Sequence, residues 1–324
     1  MITIGIIGSS GYVAGELIRC LLQHPNVKID FLYSHSQAGE AIGKVHQDLA
    51  NVALKYTDTI NSEIDVLFLC LGHGNSKKFL EKHSFSLTTK IIDLSNDFRL
   101  EKDAVFQNKK FVYGLIEAQK EIIQKADCIA NPGCFATAIQ LALLPLAEAK
   151  HLKEEVHVHA LTGSTGAGQS LTETSHFSWR NQNISIYKAF QHQHLGEIHE
   201  TLKSLQNDWQ TPLNFLPLRG DFTRGIFASV YMKTDLDEAA LLQLYKTYYK
   251  EAPFVFVTDA VVHLKQVVNT NNAFLQIQKV EGKVLITSVI DNLLKGAAGQ
   301  AIQNMNLLFG FPETMGLQFK ANYF

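Results

Sequence analysis

No stretch of this sequence is long and apolar enough for a membrane span, which takes about 20 residues. Nor does the chain open on a basic segment and an apolar leader: Met1-Ile2-Thr3-Ile4 enters a predicted strand at once. Charge is sparse and balanced, with 19% charged residues and a net charge of −2. Without a basic run there is no electrostatic reason to expect a nucleic acid or an anionic membrane as partner. Cysteine is scarce. Cys20, Cys70, Cys128 and Cys134 fall in a helical pattern, two predicted strands and a turn. They lack metal-ligand spacing and suit a reduced compartment better than a disulfide framework, so the expectation is a cytoplasmic protein with no metal. Repeats and low-complexity linkers are absent as well.

What is present is core-forming material. With 46% hydrophobic residues over 324 positions, the chain can build two domains. Residues 2–7 read as a buried strand, followed by the turn Gly8-Ser9-Ser10-Gly11-Tyr12-Val13-Ala14-Gly15 and a helix over residues 16–22. Strand, glycine turn and helix at this spacing can cradle a dinucleotide pyrophosphate: glycines admit the backbone closely and the helix N-terminus attracts the charge. The spacing is G-x-x-G-x-x-x-G, less diagnostic than G-x-G-x-x-G, and a plain turn of an α/β protein is the other reading.

A second strand over residues 27–33 ends in Ser34-His35-Ser36. An NAD site often places an acid there for the ribose 2′-hydroxyl, and none is found. Hydroxyls and an imidazole tolerate a 2′-phosphate, which points to NADP; a merely polar loop is the alternative. Strands over residues 65–71 and 90–95 follow, with Gly72-His73-Gly74-Asn75-Ser76 and Asn96-Asp97-Phe98-Arg99 at their carboxyl ends. Alternating strands and helices imply a doubly wound parallel sheet whose ligands gather at those ends.

Residues 129–138, Ile-Ala-Asn-Pro-Gly-Cys-Phe-Ala-Thr-Ala, break an apolar run with a turn that leads into a helix. Cys134 then lies on the turn or the first helical position, where the helix N-terminus stabilises a thiolate. Taken singly, it reads equally as a buried cysteine at a tight turn. Beyond it come a strand over residues 155–161, the small-residue loop 162–170, and His192, His194 and His199 with Glu197 between. Two histidines spaced by two raise the question of a metal, but no third ligand cluster supports one; acid–base work beside a thiol is more economical. Strands over residues 226–232, 274–280 and 284–289 suggest a mixed, largely antiparallel sheet, and residues 291–309 read as one long helix carrying Gly296 and Gly299.

With these segments in view, the chain resembles the N-acetyl-γ-glutamyl-phosphate reductases nearly end to end. The resemblance is carried by Gly8-Ser9-Ser10-Gly11-Tyr12, Ile92-Asp93-Leu94-Ser95-Asn96-Asp97-Phe98-Arg99, Asn131-Pro132-Gly133-Cys134, Gly163-Ser164-Thr165-Gly166-Ala167-Gly168, His192-Gln193-His194 with Glu197, Arg224-Gly225 and residues 291–301. It implies an α/β protein: a Rossmann NADP-binding domain over residues 1–132 plus 297–324, and an α/β catalytic and dimerisation domain over 133–296, as in aspartate-semialdehyde dehydrogenase. It implies NADP(H), an N-acyl-γ-glutamyl phosphate as small-molecule substrate in arginine biosynthesis, and a homo-oligomer, dimer or tetramer.

Carried over by motif, Cys134 is the nucleophile and His192 the acid/base, with His194 and Glu197 beside the substrate. Arg99 and Arg224 are its phosphate and carboxylate anchors. Gly8, Ser9, Ser10, Gly11, Tyr12, Val13, Ser34, His35, Ser36, Gly72, His73, Gly163, Gly166, Ala167 and Asn292 are expected around the cofactor. The sequence departs from the family pattern at His35 (usually Arg), Gly72 (usually Pro) and Gln193 (usually Arg). The last change leaves the acyl group open between acetyl and succinyl. The competing expectations are another acyl-phosphate reductase on the same scaffold, such as aspartate-semialdehyde dehydrogenase, and a non-catalytic NADP-binding sensor.

Overall fold

The computed structural model describes residues 1–324, which divide into two compact units: 1–132 with 297–318, and 133–296 with 319–324. No helix is long and apolar enough to cross a membrane.

The first unit is built on eight strands: β1 (Ile2–Ile7), β2 (Val27–Tyr33), β3 (Tyr56–Thr57), β4 (Val66–Leu69), β5 (Lys90–Asp93), β6 (Val105–Phe106), β7 (Lys109–Tyr113) and β8 (Cys128–Ala130). They lie in the order β3-β2-β1-β4-β5-β8-β7-β6. Every pairing is parallel except that of β6 with β7. The central strands are apolar on both faces, as a sheet covered by helices requires: Val66, Leu67, Phe68 and Leu69 are all buried. Helices α1 (Tyr12–Leu21), α2 (Ser76–Lys82) and α3 (Ile116–Ile123) belong to this unit, as does the C-terminal helix Gly299–Leu308. The strand order turns outward on either side of β1 and β4, which is where a doubly wound sheet opens its ligand crevice.

The second unit holds seven strands: β9 (Val156–Thr162), β10 (Ser185–Ile186), β11 (Leu213–Arg219), β12 (Ile226–Lys233), β13 (Val255–Thr258), β14 (Ala273–Val280) and β15 (Lys283–Ile290). Their order is β10-β11-β9-β12-β15-β14-β13, antiparallel except for β11 with β9 and β13 with β14. Glu281 and Gly282, both at positive φ, make the two-residue turn from β14 to β15. Helices α4 (Cys134–Glu148), α5 (Phe177–Arg180), α6 (His194–Leu205) and α7 (Glu238–Tyr248) complete it. Residues 135–147 of α4 are all buried, so this helix is the unit's core.

Three details differ from the sequence reading. Helix α1 begins at Tyr12, four residues earlier, because Gly11 already takes the extended N-cap conformation. Cys70 lies one residue beyond β4 rather than within it. Residues 291–309 are not one regular helix. The Asp291 side chain accepts the N–H groups of Leu293 and Leu294, a widened turn runs over residues 294–298, and the α-helix starts only at Gly299. The widening fits close packing: a Cβ on Gly296 would lie 2.7 Å from the Cβ of Cys134.

Candidate active site

In the first unit the loop after β1 is shaped for close backbone approach. Gly8 has φ +74°, and a Cβ there would meet the Cys70 carbonyl at 2.6 Å. The N–H groups of Gly8 and Ser9 both donate to the Tyr33 carbonyl, as does the Ser9 hydroxyl at 2.9 Å. This ties the loop to the end of β2. Gly11 caps α1 without a side chain and no acid occupies the first turn, so nothing anionic competes for that helix end. His46, which sequence reasoning missed, supports the loop from beneath, its Nε2 2.9 Å from the Ser9 carbonyl. A Cβ on Gly15 would strike the same imidazole at 2.7 Å. Only the structure brings His46 to this loop, because residues 35–49 form a run of short 3-10 turns with no sequence signal of their own. Ser34 is buried at the end of β2, while His35 and Ser36 stand exposed on the turn that follows. These residues fit a dinucleotide phosphate: glycines where a side chain would fill the cradle, an open helix end, and no carboxylate beyond β2.

A buried polar network organises the next two loops. Asp93, at the end of β5, accepts the hydroxyls of Ser76 at 2.6 Å and Ser95 at 2.7 Å. Burial raises its carboxyl to about 6, against the downward pull of those hydroxyls and of Arg99. Asp97 in turn accepts the backbone N–H of Gly74 and of Lys77, fixing the 72–75 turn at the start of α2. His73 is exposed and takes the Asn96 N–H on Nδ1. Arg99 sits 8% exposed and donates from Nε to the Asn131 carbonyl and from Nη2 to that of Leu94. It therefore braces the chain just ahead of Pro132.

In the second unit Cys134 is the first residue of α4, with Gly133 as an extended N-cap and no acid in the first turn. Its helix end favours a thiolate and offers backbone N–H groups to a developing oxyanion. Glu197, 3% exposed in the first turn of α6, accepts the Gly133 N–H at 2.9 Å. Its other oxygen lies 3.9 Å from His194 Nε2. His192 and His194 are both buried, with ring centroids 4.6 Å apart. The rings of Phe135, Tyr187 and Phe215 also edge against His192. The His194 N–H donates to His192 Nδ1, which leaves the proton of the neutral ring on Nε2. Burial, and then the charge of Lys188, lowers His192 to about 4, so that ring is neutral near pH 7. His192 precedes α6 and His194 begins it, so the two-residue spacing spans a helix start.

The remaining residues of that unit form a brace. Asn292 accepts the Gly225 N–H and donates to the Thr165 hydroxyl, stitching the 163–168 loop to the 222–225 turn. Gly163 has no room for a side chain, since a Cβ would lie 2.5 Å from the Thr223 carbonyl. Gly166 and Ala167 continue the same loop. Arg224 is engaged with buried Asp291, Nη2 at 2.9 Å and Nε at 3.1 Å. No group of three or more His, Cys, Asp or Glu side chains comes together as a metal site.

Residues 3–126 match the semialdehyde dehydrogenase NAD binding domain, and residues 134–292 match the semialdehyde dehydrogenase dimerisation domain. N-acetyl-gamma-glutamyl-phosphate reductases from Flavobacterium johnsoniae and Christiangramia forsetii are 58% and 55% identical over the whole of this chain and of their own. This chain belongs to the N-acetyl-gamma-glutamyl-phosphate reductase family. It is an oxidoreductase with a nicotinamide-dinucleotide domain and a dimerisation domain. Two structures of aspartate semialdehyde dehydrogenases share the fold at 16% identity. One is enzyme II of Vibrio cholerae complexed with ASA, with a TM-score of 0.73 over 96% of this chain and 98% of that one. The other is a probable enzyme from Pseudomonas aeruginosa, at 0.72 over 95% and 98%.

Proposed function

We propose that this chain reduces an N-acyl-γ-glutamyl phosphate, acetyl or succinyl, to the N-acylglutamate 5-semialdehyde with release of phosphate, in arginine biosynthesis. The observation that carries the reading is the position of Cys134, at the open N-terminus of a buried helix, in a chain 58% identical to a reductase so named. The thiolate of Cys134 attacks the acyl carbon, phosphate leaves with its bonding electrons, and a thioester remains. The glycine loop of the first unit would hold NADPH, which would supply the hydride to the thioester carbon; the carbon–sulfur bond then breaks, freeing the aldehyde and returning the Cys134 thiolate. The chain's own residues do the rest. Backbone N–H groups at the start of α4 hold the oxygen as it gains charge. His192, neutral with its proton on Nε2, donates a hydrogen bond to that oxygen. Glu197 fixes Gly133, and His194 fixes His192 through its own backbone.

The unit of residues 1–132 with 297–318 then serves NADP and that of residues 133–296 the chemistry, in a homo-oligomer in the cytoplasm; the last six residues, expected with the first unit, belong to the second. The dimerisation domain over residues 134–292 supports self-association.

The test runs the reaction in reverse, with N-acetyl- or N-succinylglutamate semialdehyde, phosphate and NADP, following NADPH absorbance. Turnover with at least one is expected. Turnover with aspartate semialdehyde alone would transfer the chain to the neighbouring specificity, and binding of NADP without turnover of any semialdehyde would make it a sensor.

A further inference from the structure

The cations of the second unit are unequally committed. Arg224 is neutralised by Asp291. Arg180, 7% exposed, directs its hydrogens to the carbonyls of Thr174, Asn183 and Arg219 and to the Ser185 hydroxyl. Arg219, the last residue of β11, has no carboxylate partner, and its Nε is buried without an acceptor. Its guanidinium lies over the Tyr187 ring, 4.9 Å from the centroid. Tyr187 packs on His192, ring centroids 5.8 Å apart, and its hydroxyl feels both the Cys134 thiol and Arg219. Burial first, then Cys134, raises that hydroxyl to about 12, with Arg219 opposing. Arg180 and Arg219 also repel each other: after burial, Arg219 is the next cause that lowers Arg180, and only Asp221 offsets it. Arg219 thus lies across one aromatic ring from Cys134 and His192, with a second guanidinium close to it and a buried donor to spare. Such an arrangement is costly unless an anion completes it.

We propose that Arg219 is a specificity-determining residue that binds a carboxylate of the substrate, with Tyr187 holding its guanidinium in place beside Cys134. The proposal rests on the reductase reading above and deepens it. A substrate carboxylate has two sources, the α-carboxylate of the glutamyl moiety and the terminal carboxylate of a dicarboxylic acyl group such as succinyl. Both offer the planar pair of oxygens that a guanidinium fork matches.

The experiment measures kcat and KM in the reverse direction for wild type, Arg219→Gln and Arg219→Lys, with N-acetyl- and N-succinylglutamate semialdehyde side by side. Loss of a charge-assisted contact should raise KM by about 10- to 100-fold in the glutamine variant, with kcat less affected and lysine rescuing part. A rise for both substrates identifies the α-carboxylate; a rise for the succinyl substrate alone identifies the acyl terminus. KM values within twofold of wild type for both would overturn the proposal, even if the variant melted lower, since a brace alone has that signature.

Wild-type activity is read first, so failure of the reductase reading shows before either variant is assayed. In that event, N-succinylglutamate and N-acetylglutamate are titrated in thermal shift. Stabilisation of wild type that Arg219→Gln abolishes upholds the carboxylate site without turnover, and no stabilisation of wild type by either refutes it.

Discussion

The carboxylate of Glu197 holds the backbone N–H of Gly133 at 2.9 Å, one residue ahead of Cys134. The chain there is extended and cannot supply an intrahelical acceptor, so an acid from another helix takes the orphan donor. The contact is buried on both sides. Removing it with Glu197→Ala leaves the N–H unsatisfied and should cost about 1–3 kcal/mol. Glu197→Gln keeps an acceptor oxygen and should cost less. Thermal melts should rank wild type, then glutamine, then alanine; an alanine variant that melts with wild type would show that the N–H finds water instead.

Cys134→Ser should abolish turnover and leave the melting temperature nearly unchanged. The hydroxyl is close in size but far less nucleophilic at neutral pH, and a helix end that favours a thiolate gives an alcohol little help. Alkylation of wild type should consume one fast thiol, protected by substrate. Cys20 and Cys128 are fully buried, and burial raises the thiols of Cys70 and Cys128 well above the ordinary value. Near-normal activity in the serine variant would rule out the thioester.

His192, lowered to about 4 by burial, carries no charge through the neutral range. An ordinary imidazole would impose an acid limb near 6.5 on kcat/KM; here the limb assigned to His192 should fall nearer 4. Replacing it with Asn removes the Nε2 donor and should lower turnover by roughly a hundredfold, the scale of a lost acid–base group. His194→Asn keeps the backbone N–H that orients His192 and should be milder. Reversed severities would exchange the two roles.

Periodicity and spacing made the two sheets legible, and the reason is physical: β4 is a continuous apolar run and β1 nearly one because helices cover both faces, while β9 alternates. The turn before Cys134 was legible because Asn-Pro-Gly permits only a few backbone paths. Roles that depend on distant partners were not. Arg224 reads as a free anchor until Asp291, 67 residues on, appears against it. Arg219 and His46 carry no local signal: one ends a strand and the other lies among short turns. The widened turn over residues 294–298 was invisible because the close approach of Gly296 to Cys134 joins residues far apart in the sequence.

Asp93 gives the protein a pH signature of its own. Its folded value, about 6, exceeds the ordinary 3.8, so the folded state holds the proton more tightly than the unfolded chain. That contribution is complete below about pH 4 and is lost as pH rises through 6, amounting to about 3 kcal/mol. Asp93→Asn cannot ionise, so the difference in unfolding free energy between wild type and variant should slope between pH 4 and 6 and level off above 7. A difference that stays flat across that range would mean that Ser76, Ser95 and Arg99 hold the carboxylate charged throughout.

The preference for NADP over NAD should turn on the residues after β2. No carboxylate lies there to repel a 2′-phosphate, and His35 and Ser36 are exposed on the turn that follows the strand. His35→Arg should raise the ratio of kcat/KM for NADP over NAD by about tenfold, the worth of one charge-assisted phosphate contact. Lysine at the same place should do less, because a guanidinium meets two phosphate oxygens at once. Ser36→Asp sets a carboxylate on an exposed turn, where it costs the fold little, and should move preference towards NAD. Neither change touches Cys134, so kcat at saturating cofactor should stay near wild type. A wild-type ratio favouring NAD would overturn the cofactor assignment while leaving the thioester chemistry standing.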